Sequence, residues 1–193
     1  MKKHKAVLLF GPPGSGKGTQ GKALGMLPGY RHIATGDLFR ALDPESDLAK
    51  EAKSYSSRGA LAPDDLAIRV WEDQVKKWEA SGEYVFGREI MILDGIPRNH
   101  KQARLMDDNI SVSRIIELVI PDDSIIITRL KGRARKEGRE DDAREEVIRN
   151  RLDVYKKETA ETLKFYNPSI IARINGNQSI MGVLADIAKT LNN

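Results

Sequence analysis

The sequence contains no cysteine. Disulfides, thiolate nucleophiles and cysteine-ligated zinc are therefore excluded. Its histidines, His4, His32 and His100, stand far apart, without metal-ligand spacing. Aromatics make up 6% of the residues and fall mostly on apolar helix faces. This leaves no basic stripe interleaved with stacking rings, the pattern of a single-strand nucleic-acid binder. No Asn-Lys-x-Asp motif of a guanine-nucleotide switch is present, and there is no internal repeat or low-complexity segment. No apolar run approaches the roughly 20 residues of a membrane span. The start, Met1-Lys2-Lys3-His4-Lys5, has the charge of a signal peptide, but the run Ala6 to Phe10 is short and passes straight into a glycine-rich turn. It is expected to be a first strand, and the protein a cytoplasmic one with no membrane partner.

What is present suits a different ligand class. Basic and acidic residues, 32 and 28, interleave to a net charge of +4, which fits a polyanionic ligand without implying nucleic acid. The 193 residues are enough for one sizeable α/β domain with insertions. Directly after Ala6-Val7-Leu8-Leu9-Phe10 comes Gly11-Pro12-Pro13-Gly14-Ser15-Gly16-Lys17-Gly18-Thr19. Its G-x-x-x-x-G-K spacing is that of the Walker A phosphate loop. Glycines there let successive backbone N–H groups turn toward phosphate oxygens, and a helix starting near Gly16 adds its positive dipole end. Lys17 is placed to reach the outermost phosphates. The general motif has Ser or Thr next as a magnesium ligand; here Gly18 intervenes before Thr19.

The rest of the chain reads as strands alternating with helices. A helix is expected from Lys17 to Leu27, stopping at Pro28-Gly29, and a short strand from His32 to Ala34 leads into Thr35-Gly36-Asp37-Leu38-Phe39-Arg40. Leu48 to Ser57 is a polar helix. After Pro63, Asp64 and Asp65 open a helix with Leu66, Val70, Trp71, Val75 and Trp78 on one stripe. Ile90 to Leu93, Arg114 to Ile120 and Ile170 to Ile174 are buried strands, and Ser179 to Leu191 a closing amphipathic helix. This alternation implies a parallel sheet covered on both faces, with ligands beyond its carboxyl edge, where the Gly11 loop and Asp94 both fall.

Gly132 to Arg139 is too polar and glycine-bounded for the core and is expected to be an exposed loop, with Arg135 and Lys136 solvated. On the wheel of the following helix, Arg144 to Glu158, Val147, Ile148, Leu152, Val154 and Tyr155 cover the buried arc. Arg149 and Asn150 point away from it, whereas Arg144 and Arg151 fall inside it. An inward charge needs a partner, supplied either by an acid such as Asp141 or Asp142 or by an anionic ligand.

At these motifs (GPPGSGKGTQ, ATGDLFR, LDGIPR followed by Gln102, and R-x-D-D ahead of an R-x-R-L helix) the chain resembles the adenylate kinases, within the nucleoside monophosphate kinases. In that family Gly-Thr follows the lysine, so Gly18 is shared. The resemblance implies a five-stranded parallel sheet of P-loop NTPase type in the order 2-3-1-4-5. It divides the chain into a core (1–33, 63–131 and 143–193), a monophosphate-binding insert (34–62) and a short, zinc-free lid (132–142).

By position, Gly14, Ser15, Gly16, Lys17, Gly18 and Thr19 would hold the ATP phosphates, with Arg129 and Arg133 beside them. Gln178 lies in the loop over the adenine, where a lysine can occur in relatives. Thr35, Arg40, Ala60, Leu61, Ala62, Gly95, Ile96, Pro97, Arg98 and Gln102 would hold AMP. Arg133, Arg139 and Arg151, with Lys17 and Arg98, would converge on the transferring group, and Asp94 would orient the water shell of Mg2+. The wheel selects Arg151 over Arg149. The implied reaction is reversible, Mg-dependent transfer from ATP to AMP giving two ADP, by a monomer. A UMP/CMP kinase of the same fold is the alternative, and a nucleic-acid-binding P-loop ATPase the alternative from another class. Thr35 and Gln102 favour AMP, whereas Asn99 after Pro97-Arg98 also occurs in the pyrimidine-specific relatives.

Replacing Lys17 by Met is expected to lower phosphoryl transfer by on the order of a thousandfold, the loss of one charge-matched transition-state contact. A folded variant, checked by circular dichroism, that turned over normally would remove the loop from the chemistry.

Overall fold

Strand β1 (His4–Phe10) supplies the reason for the layering. Its alternate residues enter two different clusters: Ala6, Leu8 and Phe10 on one face of the sheet, Val7 and Leu9 on the other. A strand apolar on both faces must be covered on both. The structure, a computed structural model, describes residues 3–139 and 142–192. Asp141 and part of the expected lid lie outside them.

Five strands form one parallel sheet in the order β2-β3-β1-β4-β5, as the resemblance implied. They are β1, β2 (Tyr30–Ala34), β3 (Ile90–Asp94), β4 (Ile110–Val119) and β5 (Ile171–Asn175). Leu9 pairs with Asp94 and Ala34 with the same residue from the other side, so three strand ends come level beside the phosphate loop. Helices α1 (Lys17–Gly25) and α8 (Ile180–Leu191) cover one face through Leu24, Val183 and Ile187. The helices α4 (Asp64–Ser81) and α5 (His100–Asp107) cover the other through Ala67, Ile68, Trp71, Val75 and Met106. Between β2 and α4 lie α2 (Thr35–Arg40) and α3 (Asp47–Ser56). A third apolar cluster, Ile126, Leu130, Ile148 and Leu152, joins α6 (Asp123–Glu137) to α7 (Glu145–Val154).

Two expectations are corrected. The segment from Gly132 is not a loop: α6 runs on to Glu137 and is closed by Gly138, with φ 65° in the left-handed region. Arg, Ala, Lys and Glu are strong helix formers, and one internal glycine costs less than they contribute together. The ion pair of Lys131 with Glu145, 2.5 Å, further ties this helix to α7. The helix expected to reach Glu158 ends as α-helix at Val154 and continues as a π-helical turn, Tyr155–Thr159. Remaining differences are strand and helix ends. β2 begins at Tyr30, β4 at Ile110, and α1 stops at Gly25.

Helix α1 rests on β2 through glycines. A Cβ on Gly25 would lie 2.6 Å from the Cβ of His32 and 3.0 Å from its backbone nitrogen, whereas a Cβ on Gly132 meets nothing within 4 Å. Gly25→Ala is therefore expected to lower stability by about 1–2 kcal/mol through overpacking, and Gly132→Ala to raise it by about 0.5–1 kcal/mol through helix propensity. Urea denaturation checks both; equal effects of the two would refute the packing argument.

Candidate active site

The phosphate loop is built by backbone geometry. At Gly11 φ is 142°, and a Cβ there would lie 2.7 Å from the Leu118 carbonyl oxygen and from Ser15 Oγ. Only glycine lets the loop pass this close to β4. Gly16, with φ 104°, precedes α1; no side chain caps this helix and no acid stands in its first turn. Its first N–H groups and positive dipole end are left to the loop. Lys17 folds back over that loop, its Nζ donating to the carbonyls of Gly11 at 2.7 Å and Pro12 at 3.0 Å.

Two cavities flank Lys17. The smaller, about 250 Å³, is lined by Gly14, Gly16, Gly18, Thr19, Asp94, Arg129 and Arg133. The larger, about 980 Å³, is lined by Thr35, Ala60, Leu61, Ala62, Gly95, Pro97 and Gln102, with Phe39, Leu42 and Ala52 adding apolar wall. Lys17, Arg40, Arg98, Arg139 and Arg151 border both, as does Glu137, so the cavities meet at five cations and one acid. Three residues from the expected set stand apart from this arrangement. The Ile96 side chain packs in the core beneath the turn, 2% exposed. Gln178 is exposed and donates from Nε2 to the Asn175 carbonyl and to Asp186, both at 2.9 Å. Ser15 is buried under the loop.

The cations are held by acids and carbonyls. Asp142, with no exposed surface, accepts from Arg133 Nε at 2.6 Å and from Arg151 Nη1. The inward charge of Arg151 thus has an acid for a partner, and it borders both cavities as well. Arg149 faces out, bonded to Glu145 at 2.7 Å. Arg144, placed on the buried arc by the wheel, is a correction. It stands before α7 as the helix N-cap, exposed, and its Nη2 donates to the Ser57 carbonyl at 2.8 Å. At a helix's first residue the backbone has already left the wheel's geometry. Asn150 likewise reaches the Arg58 carbonyl, at 2.5 Å.

Arg129 donates to the Gly176 carbonyl and to Asn177 Oδ1, each at 3.1 Å, tying α6 to the loop after β5. Arg98 Nε donates to the Gly95 carbonyl at 2.8 Å. Thr35 Oγ1 donates to the same carbonyl at 2.7 Å, and the peptide Ile96–Pro97 is cis. Arg40 bonds to Asp37, and Arg139 lies 4.0 Å from that carboxylate. Asp37 lies within a motif legible in the sequence, but its role as the shared partner of two arginines is not legible there; only its i,i+3 spacing to Arg40 points to one of them. Asp64, which accepts from Gln102 Nε2 at 3.1 Å, was seen only as a helix-starting acid.

Electrostatics follow from this crowding. Burial, opposed by Asp94, and the charges of Arg98, Arg151 and Arg133 push Lys17 down to about 8. Arg98 is lowered by burial first and then by Arg151. At Asp37, burial would raise the pKa, but the hydrogen bond and charge of Arg40, with Lys22 and Arg139, outweigh it and hold the carboxyl below its ordinary value. A site of mutually repelling, desolvated cations favours an anion carrying several charges.

A divalent cation fits beside this loop. Asp94 and Gly18 face each other, a Cβ on Gly18 lying 3.6 Å from Asp94 Oδ2. Among the described residues no group of three or more acids or histidines forms a cage. One carboxylate next to a phosphate loop suits Mg2+, which keeps most of its waters and takes its other ligands from substrate phosphates.

Comparison with known proteins agrees with this geometry. The sequence model of the family described as adenylate kinase matches residues 9–171. The chain is 39% identical over 188 residues to an adenylate kinase of Cyanothece sp., covering 94% of this chain and 92% of that one. It is 36% identical over 191 residues to one of Kocuria rhizophila, covering 96% and 97%. It is 41% identical over 170 residues to one of a Mycobacterium sp., covering 85% and 87%.

The lowered Lys17 has a measurable consequence. Between about 8 and its ordinary 10.5 the unfolded chain carries this proton and the folded chain does not, so its contribution to stability rises with pH over that window. A polyphosphate beside Lys17 favours the charged form. Binding of two adenosines joined through five phosphates should therefore take up close to one proton at pH 9 and almost none from this group at pH 7. Calorimetry in buffers of different ionisation enthalpy reads the uptake, which Lys17→Met should abolish. Equal uptake at both pH values would refute the assignment.

Proposed function

The chain belongs to the adenylate kinase family, and from that premise we propose how its residues divide the transfer of a phosphoryl group from ATP to AMP, giving two ADP reversibly. The loop Gly14 to Thr19 with Lys17 and Arg129 holds the donor phosphates in the smaller cavity. Thr35, Arg40, Arg98 and Gln102, with the wall Ala60-Leu61-Ala62, hold the acceptor in the larger. The observation that carries this reading is the junction of the two cavities at Lys17, Arg98 and Arg151. Two nucleotides entering from opposite sides bring their phosphates together there.

The chemistry needs positioning and charge more than a protein nucleophile. An acceptor phosphate oxygen forms a bond to the γ-phosphorus as the bond to the β–γ bridging oxygen breaks, in line, with charge spread over the equatorial oxygens. Arg133, Arg139 and Arg151 offer guanidinium forks to those oxygens, and Lys17 a point charge to the donor. Mg2+, when bound with ATP, neutralises donor phosphate charge, and Asp94 is the carboxylate placed to orient its waters.

Water must be excluded or ATP would be hydrolysed. The proposed lid, 132–142, and insert, 34–62, approach each other at Arg139 and Asp37, 4.0 Å apart. Arg144 at the N-cap of α7 and Asn150 within it bond to the carbonyls of Ser57 and Arg58. The reading extends to a cytoplasmic monomer acting on free nucleotides. Among the described residues no helix is long and apolar enough to cross a membrane.

The base preference follows from which amide borders the acceptor cavity. Asn99, the residue shared with pyrimidine-specific relatives, caps α5 through Oδ1 and donates from Nδ2 to Asp64 at 2.7 Å, and it is not among the residues lining that cavity. Gln102 borders the acceptor cavity. Incubation with ADP and Mg2+ should produce ATP and AMP in equal amounts. With ATP as donor, kcat/KM for AMP should exceed that for CMP or UMP by roughly a hundredfold or more. Equal use of CMP would overturn the acceptor assignment while leaving phosphoryl transfer in place.

A further inference from the structure

Gln102 is buried, 2% exposed, yet lies on the wall of the acceptor cavity. Both ends of its amide are already engaged once. Oε1 accepts from the Arg98 backbone N–H at 2.7 Å, and Nε2 donates to Asp64 Oδ1 at 3.1 Å. A backbone N–H can only donate and a carboxylate can only accept. The two partners therefore fit the amide one way round. Turned over, its NH2 would face an N–H and its oxygen a carboxylate.

Asp64 is itself held. Its Oδ1 also accepts from Asn99 Nδ2 at 2.7 Å, its Oδ2 lies 3.4 Å from Lys101 Nζ, and its side chain is 16% exposed. It stands in the first turn of α4, where the helix dipole favours a negative charge. Asn99 Oδ1 in turn accepts from the Gln102 backbone N–H at 2.8 Å, closing the ring on the residue it orients.

We propose that Asp64 is a positioning residue for substrate choice: by fixing the direction of the Gln102 amide it selects a 6-aminopurine monophosphate over a 6-oxopurine monophosphate. This rests on Gln102 reading the acceptor base, as set out above. With the amide fixed, what remains for a ligand is one N–H on Nε2 and one lone pair on Oε1, in a fixed order. A 6-aminopurine offers a ring nitrogen that accepts beside an amino group that donates, which matches. A 6-oxopurine offers a ring N–H beside a carbonyl, the reverse pattern, and only a turned amide would pair with it. Both oxygen and nitrogen of the glutamine would then be opposed by like groups. Sites built this way reject the mismatched ligand by about 10³–10⁴-fold.

The test compares kcat/KM for AMP and IMP, with Mg·ATP as donor, in the full-length enzyme. The unmodified enzyme should favour AMP by about a thousandfold or more. Asp64→Ala removes the acceptor facing Nε2, leaves the direction of the amide to the Arg98 N–H alone and should cut that ratio at least about tenfold. The change should lie in the two KM values, with kcat for AMP nearly constant. Asp64→Asn keeps an oxygen facing Nε2 and should restore the ratio to within about threefold, which a purely structural role for the carboxylate charge would not produce. Should Asp64→Ala fail to fold, Asp64→Ser, whose shorter side chain withdraws the acceptor, serves in its place with the same expected outcome. Gln102→Leu separates the two readings. If it collapses the AMP:IMP ratio while Asp64→Ala and Asp64→Ser leave the ratio intact, the lock is wrong and the base-reading role stands. If Gln102→Leu leaves the ratio unchanged, the base-reading role falls and the lock with it.

Discussion

Lys17, Arg98, Arg133 and Arg151 stand around one phosphate loop, and holding like charges together out of water is the constraint that the surrounding structure answers. Two unit charges a few ångströms apart interact by several kcal/mol at the effective dielectric of a partly buried site. The strain is visible in Lys17, pushed down to about 8, and in the lowered Arg98. The protein offsets it in three ways. Loop carbonyls accept from Lys17, buried Asp142 binds two arginines at once, and Asp94 sets one negative charge at the end of β3. The remaining repulsion favours a ligand with several negative charges, which two nucleotides provide.

Three of the acids around the site have a common task. Each one fixes the direction of a donor that would otherwise be mobile. Asp142 orients Arg133 and Arg151, joining α6 to α7. Asp37 orients Arg40 and lies within 4.0 Å of Arg139. Asp64 orients an amide, where the reversal of donor and acceptor matters more than the position of a charge. Long cationic side chains lose much rotamer freedom on ordering, so a bond made in advance reduces what the substrate must supply.

Much of this was legible in residue order, because its cause is local. The strand–loop–helix from Ala6 to Thr19 follows from an apolar run, glycines at fixed offsets and a lysine, all within one short segment. The inward direction of Arg151 followed from helix periodicity and is seen in its bond to Asp142. The sheet order came from likeness to a family; alternation of strands and helices implies parallel pairing but ranks no order. Where local signals competed, reading failed. Gly132 and Gly138 look alike as letters, yet the first is an interior helical residue and the second a left-handed cap. Arg144 obeyed the wheel on paper but occupies a position outside the helix proper.

By itself, then, the sequence determined the chemistry on offer: a phosphate loop, clustered arginines, no thiol and one acid at a strand's carboxyl end. Tertiary structure decided the pairings. Arg133 and Arg151 share Asp142, and Gln102 meets Asp64 across 38 positions. Arg144 and Asn150 reach carbonyls 87 and 92 positions away. Hydrogen bonds depend on ångström-scale approach between elements, and that approach is set by how the helices pack on the sheet. Period and composition carry the face a residue turns, but not the partner it meets there.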